Sequence, residues 1–299
     1  MEPRIKVVCV TPFTSEGDLD EAALRTIVAH HASYGFGIYI GSFGSGEGHL
    51  LSAAEVRRTY EVAVEAAAGR APIYAAALGF TDTPRVIDLA HEAADAGADA
   101  VQLQPPRPGP PTAPPRMLEL ERYYQDILGA VTSPLHLSNE WFMVGYTVPA
   151  ELLAAAAADN DHVTSINTSD PDLTVVADLL ERIDGTLPVH VGLLPQLPTA
   201  LTLGATGPLG FEATIAPELC IGMLEAFDES RIGDFSAAFR KVLALHRGLM
   251  RYRNPRSVKA ALAGVGLPAG AMRRPYLPLA PEETAEIDQL LRDLELVDD

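Results

Sequence analysis

The stretch "PIYAAALGFTDTPRVIDLAHEAADAGADAVQLQPP", Pro72 to Pro106, holds one complete strand–helix–strand unit. "PIYAAALG" is short and apolar on both faces, as a strand covered on two sides must be. "TPRVIDLAHEAADAG" has apolar residues at helical spacing and ends in a glycine, the residue that best tolerates the left-handed conformation after a helix. "ADAVQLQPP" is again a short strand, broken by two prolines.

The same unit recurs outward in both directions. "KVVCVTPF" precedes "DEAALRTIVAHHASYG", "FGIYIGS" precedes "SAAEVRRTYEVAVEAAAG", and "PLHLSN" precedes "VPAELLAAAAA". "VTSIN" precedes "LTVVADLLERI", "LPVHVG" precedes "LPTALTLGA", and "TGPLGF" is the eighth strand. Eight doubly buried strands with helices between them predict an α/β fold, a parallel (β/α)8 TIM barrel. Ser52 with Glu55 forms a capping box pattern, and Gly35, Gly97 and Gly204 follow helices. From Pro217 onward the pattern is helical only, with breaks at "RYRNP", "GLPAG" and "YLPLAPEE". The expected organisation is a barrel over 1–216 and a C-terminal helical extension over 217–299 packed on it. "PPRPGPPTAPPR", Pro105 to Arg116, reads as a stiff loop on the catalytic face.

Composition narrows the function. A chain of 299 residues, 47% hydrophobic, can bury a large core. Its net charge of −18 argues against nucleic acid and anionic membranes as partners. No apolar run reaches the length of a membrane span, and the N-terminus shows no signal-peptide pattern, so a cytoplasmic protein is expected. Cys9 and Cys220 lie in apolar runs and read as free thiols. No His, Asp or Glu cluster has metal-ligand spacing, and no cofactor motif stands out: "GSFGSGEG" lacks the Lys-Ser/Thr of a phosphate loop and the context of a dinucleotide site.

A resemblance enters with "TPF" (Thr11 to Phe13), "GSGE" (Gly44 to Glu47) followed by "LLS", and "GADA" (Gly97 to Ala100). "LGATGPLG" (Leu203 to Gly210) and "NPRSVKAALAGVGLPAGAMRRPYLPL" (Asn254 to Leu279) continue it. In this order, over essentially the whole chain, these marks resemble the dihydrodipicolinate synthase and N-acetylneuraminate lyase family of pyruvate-handling class I aldolases. The resemblance implies the barrel with C-terminal helices, a small-molecule carboxylate substrate, no cofactor, and a homodimer or homotetramer.

The resemblance also implies a lysine at the tip of strand six, whose amine forms a Schiff base with a 2-oxo acid. That position holds Asn167, within "SINTSD". A carboxamide nitrogen is not nucleophilic and forms no imine. The chain has three lysines: Lys6 at the start of strand one, and Lys241 and Lys259 in the helical extension. None is expected at the barrel mouth. The family's strand-five tyrosine, a proton relay, is replaced by Ser138, followed by Asn139. In the carboxylate-binding loop Gly44 stands for one hydroxyl residue and Ser45 keeps the other. The tyrosine after strand four falls on Pro106 or Arg107, and an arginine for the second substrate falls on Met143.

The candidate catalytic residues are therefore Asn167, Ser138, Glu140 and His136. Glu140 adjoins the single tryptophan, Trp141, and could act as a base or be a solvated loop residue. His136 lies one layer below Ser138 and could touch the site from below, though a core imidazole hydrogen-bonded to a neighbouring serine or backbone carbonyl is the more usual role for such a residue. Gly44, Ser45, Asn139, Thr168, Arg107 and Glu212 are candidate substrate-binding residues. Glu47 matches a structural glutamate of the family, His49 lies near it, and Asp170 and Asp172 read as caps of the next helix. Two functions fit. One is a lyase or aldolase-type enzyme acting on a small 2-oxo or hydroxy acid without an imine. The other is an inactive pseudoenzyme that binds a ligand or joins a complex.

Overall fold

The computed structural model describes residues 2–76, 79, 82–107 and 113–298. Eight strands run through it: β1 (Lys6–Val8), β2 (Gly37–Ile40), β3 (Ile73–Ala75), β4 (Ala100–Leu103), β5 (Leu135–Asn139), β6 (Val163–Thr168), β7 (Val189–Val191) and β8 (Gly207–Gly210). They form one closed parallel barrel in chain order. Helices α1 (Glu21–Ser33), α2 (Ala53–Ala67), α3 (Thr83–Asp95), α4 (Met117–Ala130), α5 (Trp141–Val144), α6 (Ala150–Ala158), α7 (Leu173–Ile183) and α8 (Leu197–Thr202) lie between the strands. After β8 come α9 (Glu212–Ile215), α10 (Pro217–Asp228), α11 (Ile232–Arg251), α12 (Arg256–Gly264) and α13 (Pro281–Asp293). The expected α/β barrel with C-terminal helices is what the chain adopts. The segment Pro108–Thr112 of the proline-rich loop lies outside the described residues, and α4 begins directly after that loop, at Met117.

The described residues divide into two compact units. One comprises 1–4 and 74–209, the other 5–73 and 210–299. In the first unit β3 to β8 pair as parallel neighbours, and their strands are almost wholly buried. The register aligns Gln102 with His136, His136 with Ser165, Ser138 with Asn167, and Asn167 with His190. Because side chains alternate along a strand, this register puts all of these polar residues on one face of the sheet. The other face carries Val101, Leu103, Leu135, Leu137 and Ile166, all 3% exposed or less, against the surrounding helices.

In the second unit β1 pairs with β2, Lys6 opposite Gly37. Helix α2 starts in the capping box of Ser52 and Glu55, and burial of Thr59, Tyr60, Val62 and Ala63 fixes its inner face. Gly35, Gly97 and Gly204 take φ of 70°, 92° and 98° just after their helices. Lys6 is fully buried, its ammonium 5.8 Å from the Tyr39 ring. Lys241 is on the surface with Glu295, 2.5 Å away.

Candidate active site

The first unit builds its polar cluster from the ends of β4, β5 and β6. Glu140 follows the last residue of β5 and is only 8% exposed. Gln102 of β4 donates its amide Nε2 to Glu140 Oε1 at 2.7 Å. Gln104, just past the end of β4, donates to Glu140 Oε2 at 3.2 Å. The Gln102 amide also reaches Ser138 Oγ at 3.3 Å. Both carboxyl oxygens thus have an amide donor, which is what a buried carboxylate requires.

Burial is still the larger influence and pushes the Glu140 carboxyl above the usual glutamate range. Hydrogen bonds from Ser138 and Gln102 pull it partly back. A carboxyl held this way exchanges its proton closer to neutrality than a surface glutamate does, as a general acid or base needs. Ser138 and Asn167 are cross-strand partners, both fully buried. Thr168, the last residue of β6, is fully buried too, and its Oγ1 finds no hydrogen-bond partner among the described residues.

His136 is placed apart from this cluster. Its Nε2 lies 3.3 Å from Glu2 Oε1, and its ring meets Tyr74 edge-on at 4.4 Å. Tyr74 in turn donates to Glu2 Oε2 at 2.7 Å. The chain segment before β1 therefore engages His136, which takes the part of a core imidazole. His190 is similarly occupied, its Nε2 2.9 Å from the Pro3 carbonyl.

Asn139 points to the other face, as alternation dictates, and both ends of its carboxamide engage the Val148 backbone, at 3.2 Å and 3.4 Å. Its amide thus supports the chain. Arg107 is exposed at the edge of the described residues. Trp141 and Phe142 are 42% and 58% exposed, so Trp141 does not fill the core beside Glu140. Asp172 caps α7 through Thr174, as read from the sequence. Asp170 does not. It is fully buried and accepts from Thr147 Oγ1 at 2.7 Å and from the Asp172 amide at 2.9 Å.

The second unit holds the Gly-rich turn. A side chain at Gly46 would put a Cβ 2.5 Å from the Ser42 amide nitrogen, so only glycine fits. Thr11 donates to the Gly46 carbonyl at 2.5 Å, and Asn254 donates to Ser45 Oγ. Gly44 has open space at its α-carbon. Glu47 takes a left-handed φ of 51° and is 1% exposed. Its carboxylate lies 2.5 Å from Lys259 Nζ, which also donates to the Ala271 carbonyl at 2.8 Å. Burial pushes Glu47 up and Lys259 down, and their mutual attraction opposes both shifts. The ion pair consumes Lys259 and gives Glu47 a structural role. His49 stacks with Phe43 at 6.4 Å.

Glu212 opens α9 and accepts from His246 of α11 at 2.6 Å, beneath the stacked Phe211 ring. Its carboxylate therefore holds an imidazole. Among the described residues, no group of three His, Cys, Asp or Glu side chains could hold a metal ion, and no helix is long and apolar enough to cross a membrane.

Gln102 and Gln104 were not singled out from the sequence. The signal is present in "QLQ": two amides at spacing two in an otherwise apolar strand, on the face that also carries Ser138.

The sequence signature described as the Dihydrodipicolinate synthetase family matches residues 2–294. The 4-hydroxy-tetrahydrodipicolinate synthase of Methanopyrus kandleri is 31% identical over 285 residues, covering 93% of this chain and 91% of that protein. The synthase of the same name from Hyphomonas neptunium is 31% identical over 280 residues, covering 93% and 92%. Among solved structures, the chloride-inhibited dihydrodipicolinate synthase of Acinetobacter baumannii complexed with pyruvate superposes with a TM-score of 0.87 at 26% identity, covering 98% of this chain and 99% of that one. Dihydrodipicolinate synthase DapA-2 of Bacillus anthracis gives a TM-score of 0.90 at 22% identity, covering all of both chains, and supports the fold.

Proposed function

This chain belongs to the dihydrodipicolinate synthetase family, and from that premise we propose a lyase of the aldolase type that works without an imine. The observation that carries the proposal is the buried Glu140 carboxyl, held by Gln102 at 2.7 Å and Gln104 at 3.2 Å on the sheet face that presents Ser138 and Asn167. The substrate class is a small 2-oxo or hydroxy acid. Asn167 stands where the resemblance expects the Schiff-base lysine, and a carboxamide cannot replace that amine.

The chemistry that these groups support is a proton-coupled cleavage. Glu140, as the carboxylate, takes the proton of a hydroxyl on C4 of a 4-hydroxy-2-oxo acid while the bond between C3 and C4 breaks. The electron pair of that bond moves to C3 and into the C2 carbonyl as the enolate of the 2-oxo acid, and C4 leaves as the carbonyl carbon of an aldehyde or ketone. Ser138 and Asn167 donate hydrogen bonds to the enolate oxygen. The proton on Glu140 then returns to the enolate carbon. General acid–base catalysis of this kind contributes about 10²- to 10⁴-fold.

The test is a screen of hydroxylated 2-oxo acids for 2-oxo acid release, with Glu140→Gln beside the parent protein. The proposal expects turnover in the parent and a loss of about 10²-fold or more in kcat in the variant. Equal turnover in both removes Glu140 from the mechanism. A second reading, a ligand-binding pseudoenzyme, is favoured by one specific feature: protein amides already satisfy both Glu140 oxygens. It expects saturable binding of a 2-oxo acid with no turnover. Either way the proposal takes residues 1–216 as the barrel, 217–299 as its helical extension, and the molecule as a cytoplasmic homodimer or homotetramer.

A further inference from the structure

Glu140 opens the segment that connects β5 to α6, and that segment is tied down at three places. Asn139 grips the Val148 backbone through both ends of its carboxamide. Thr147 donates to Asp170, just past β6, at 2.7 Å. Tyr146 Oη donates to the Pro106 carbonyl, just past β4, at 2.6 Å. The exit of β4 is held from a second side as well, because Tyr123 of α4 donates to the Gln104 carbonyl at 2.8 Å.

The two amides on Glu140 are therefore positioned by different means. Gln102 sits inside β4, paired in register with His136, and its place comes from the strand. Gln104 and Pro106 lie past Leu103, the last residue of β4. There the two phenols fasten the chain. Tyr123 and Tyr146 are both buried, and that burial pushes both hydroxyls up, so they stay protonated and act as donors across the accessible pH range. The ring of each can be kept while the hydroxyl is removed, which separates this bond from packing.

Resting on the functional reading above, we infer that Tyr146 and Tyr123 are positioning residues for Glu140. Their hydroxyls fix the backbone of Gln104 and Pro106, and the Gln104 amide then fixes one oxygen of the carboxyl. Loss of either hydroxyl leaves a carbonyl at the β4 exit without its donor, lets the segment shift, and lengthens the Gln104–Glu140 bond. The carboxylate then loses a stabilising donor while Gln102 keeps its own.

The experiment needs no substrate. Protein labelled with ¹³C at the glutamate carboxyls is titrated by NMR, with the Glu140 signal assigned as the one missing from Glu140→Gln. Tyr146→Phe and Tyr123→Phe each move the Glu140 titration upward, by roughly one pH unit or less, in the same direction as Gln104→Leu. The inference is overturned if Gln104→Leu moves the titration and neither tyrosine variant does, or if Gln104→Leu leaves it in place. Tyr123→Phe acts from α4 and supplies the same test should Tyr146→Phe fail to fold. Failure of the functional reading has a different signature: Glu140→Gln retains full turnover, whatever the tyrosine variants do to the titration.

Discussion

The amide nitrogen of Gln102 stands 2.7 Å from a carboxyl oxygen of Glu140, and the two side chains are 3% and 8% exposed. One residue belongs to a strand interior and the other to the turn after the next strand, so the pairing exists only because β4 and β5 run parallel in this register. It places a buried carboxyl just past the end of β5, the end of the barrel where such folds carry their chemistry.

The position of Glu140 has a cost that stability measurements can read. Its folded carboxyl titrates above the ordinary value because of burial, so the native state binds a proton that the unfolded state has already released. The sign follows: stability falls as pH rises from the unfolded value through the raised one. Glu140→Gln removes this dependence. Denaturant titrations from pH 4 to pH 8 are expected to favour the variant progressively over the parent as pH rises. A difference that stays constant across that range contradicts the assignment.

His31 gives the opposite slope on the acid side. It is fully buried, neither ring nitrogen has a hydrogen-bond partner among the described residues, and burial lowers its pKa to about 3. The unfolded chain takes up a proton near pH 6.5 that the folded chain refuses, so stability is complete above that pH and declines below it. The decline is about 1.4 kcal/mol per pH unit between roughly pH 6 and pH 3. In His31→Leu this contribution disappears, and thermal melts between pH 6 and pH 4 are expected to show a shallower loss than in the parent.

Lys259 and Glu47 form a buried pair at 2.5 Å, with side chains 5% and 1% exposed. Lys259→Met leaves a carboxylate buried without its cation, at about 3 to 5 kcal/mol. Glu47→Gln in the same chain is expected to recover part of that loss, because a neutral amide no longer needs the ammonium. A double-mutant cycle by urea unfolding measures it, and strictly additive losses would show that the two groups are not coupled.

Much of this was legible before any coordinates. The strands and helices declared themselves because short apolar runs alternate with helical ones, some of them marked by the Ser52–Glu55 capping box and by Gly35, Gly97 and Gly204, and the family marks fall in order from Thr11 to Leu279. Ser138, Asn167 and Glu140 could be placed at strand ends for the same reason. The Gln102–Gln104 pair was hidden because one amide inside an apolar strand reads as a core residue until the neighbouring register is known. Asp170 has the local pattern of a cap, and only its burial and the hydroxyl of Thr147 show otherwise. Glu212 and His136 stood between a site role and a structural one because sequence gives the strand but not the partner: His246 lies 34 residues away from the one, and Glu2 precedes the other by most of the barrel.

The central claim is the proposed cleavage of a 2-oxo acid without an imine. Its most direct measurement is borohydride reduction in the presence of pyruvate, followed by intact-protein mass spectrometry of the parent and of Asn167→Lys. The account predicts an unmodified mass for the parent chain and a reduced pyruvyl adduct on Asn167→Lys, where an amine re-enters the end of β6. A reduced adduct on the parent chain would contradict it.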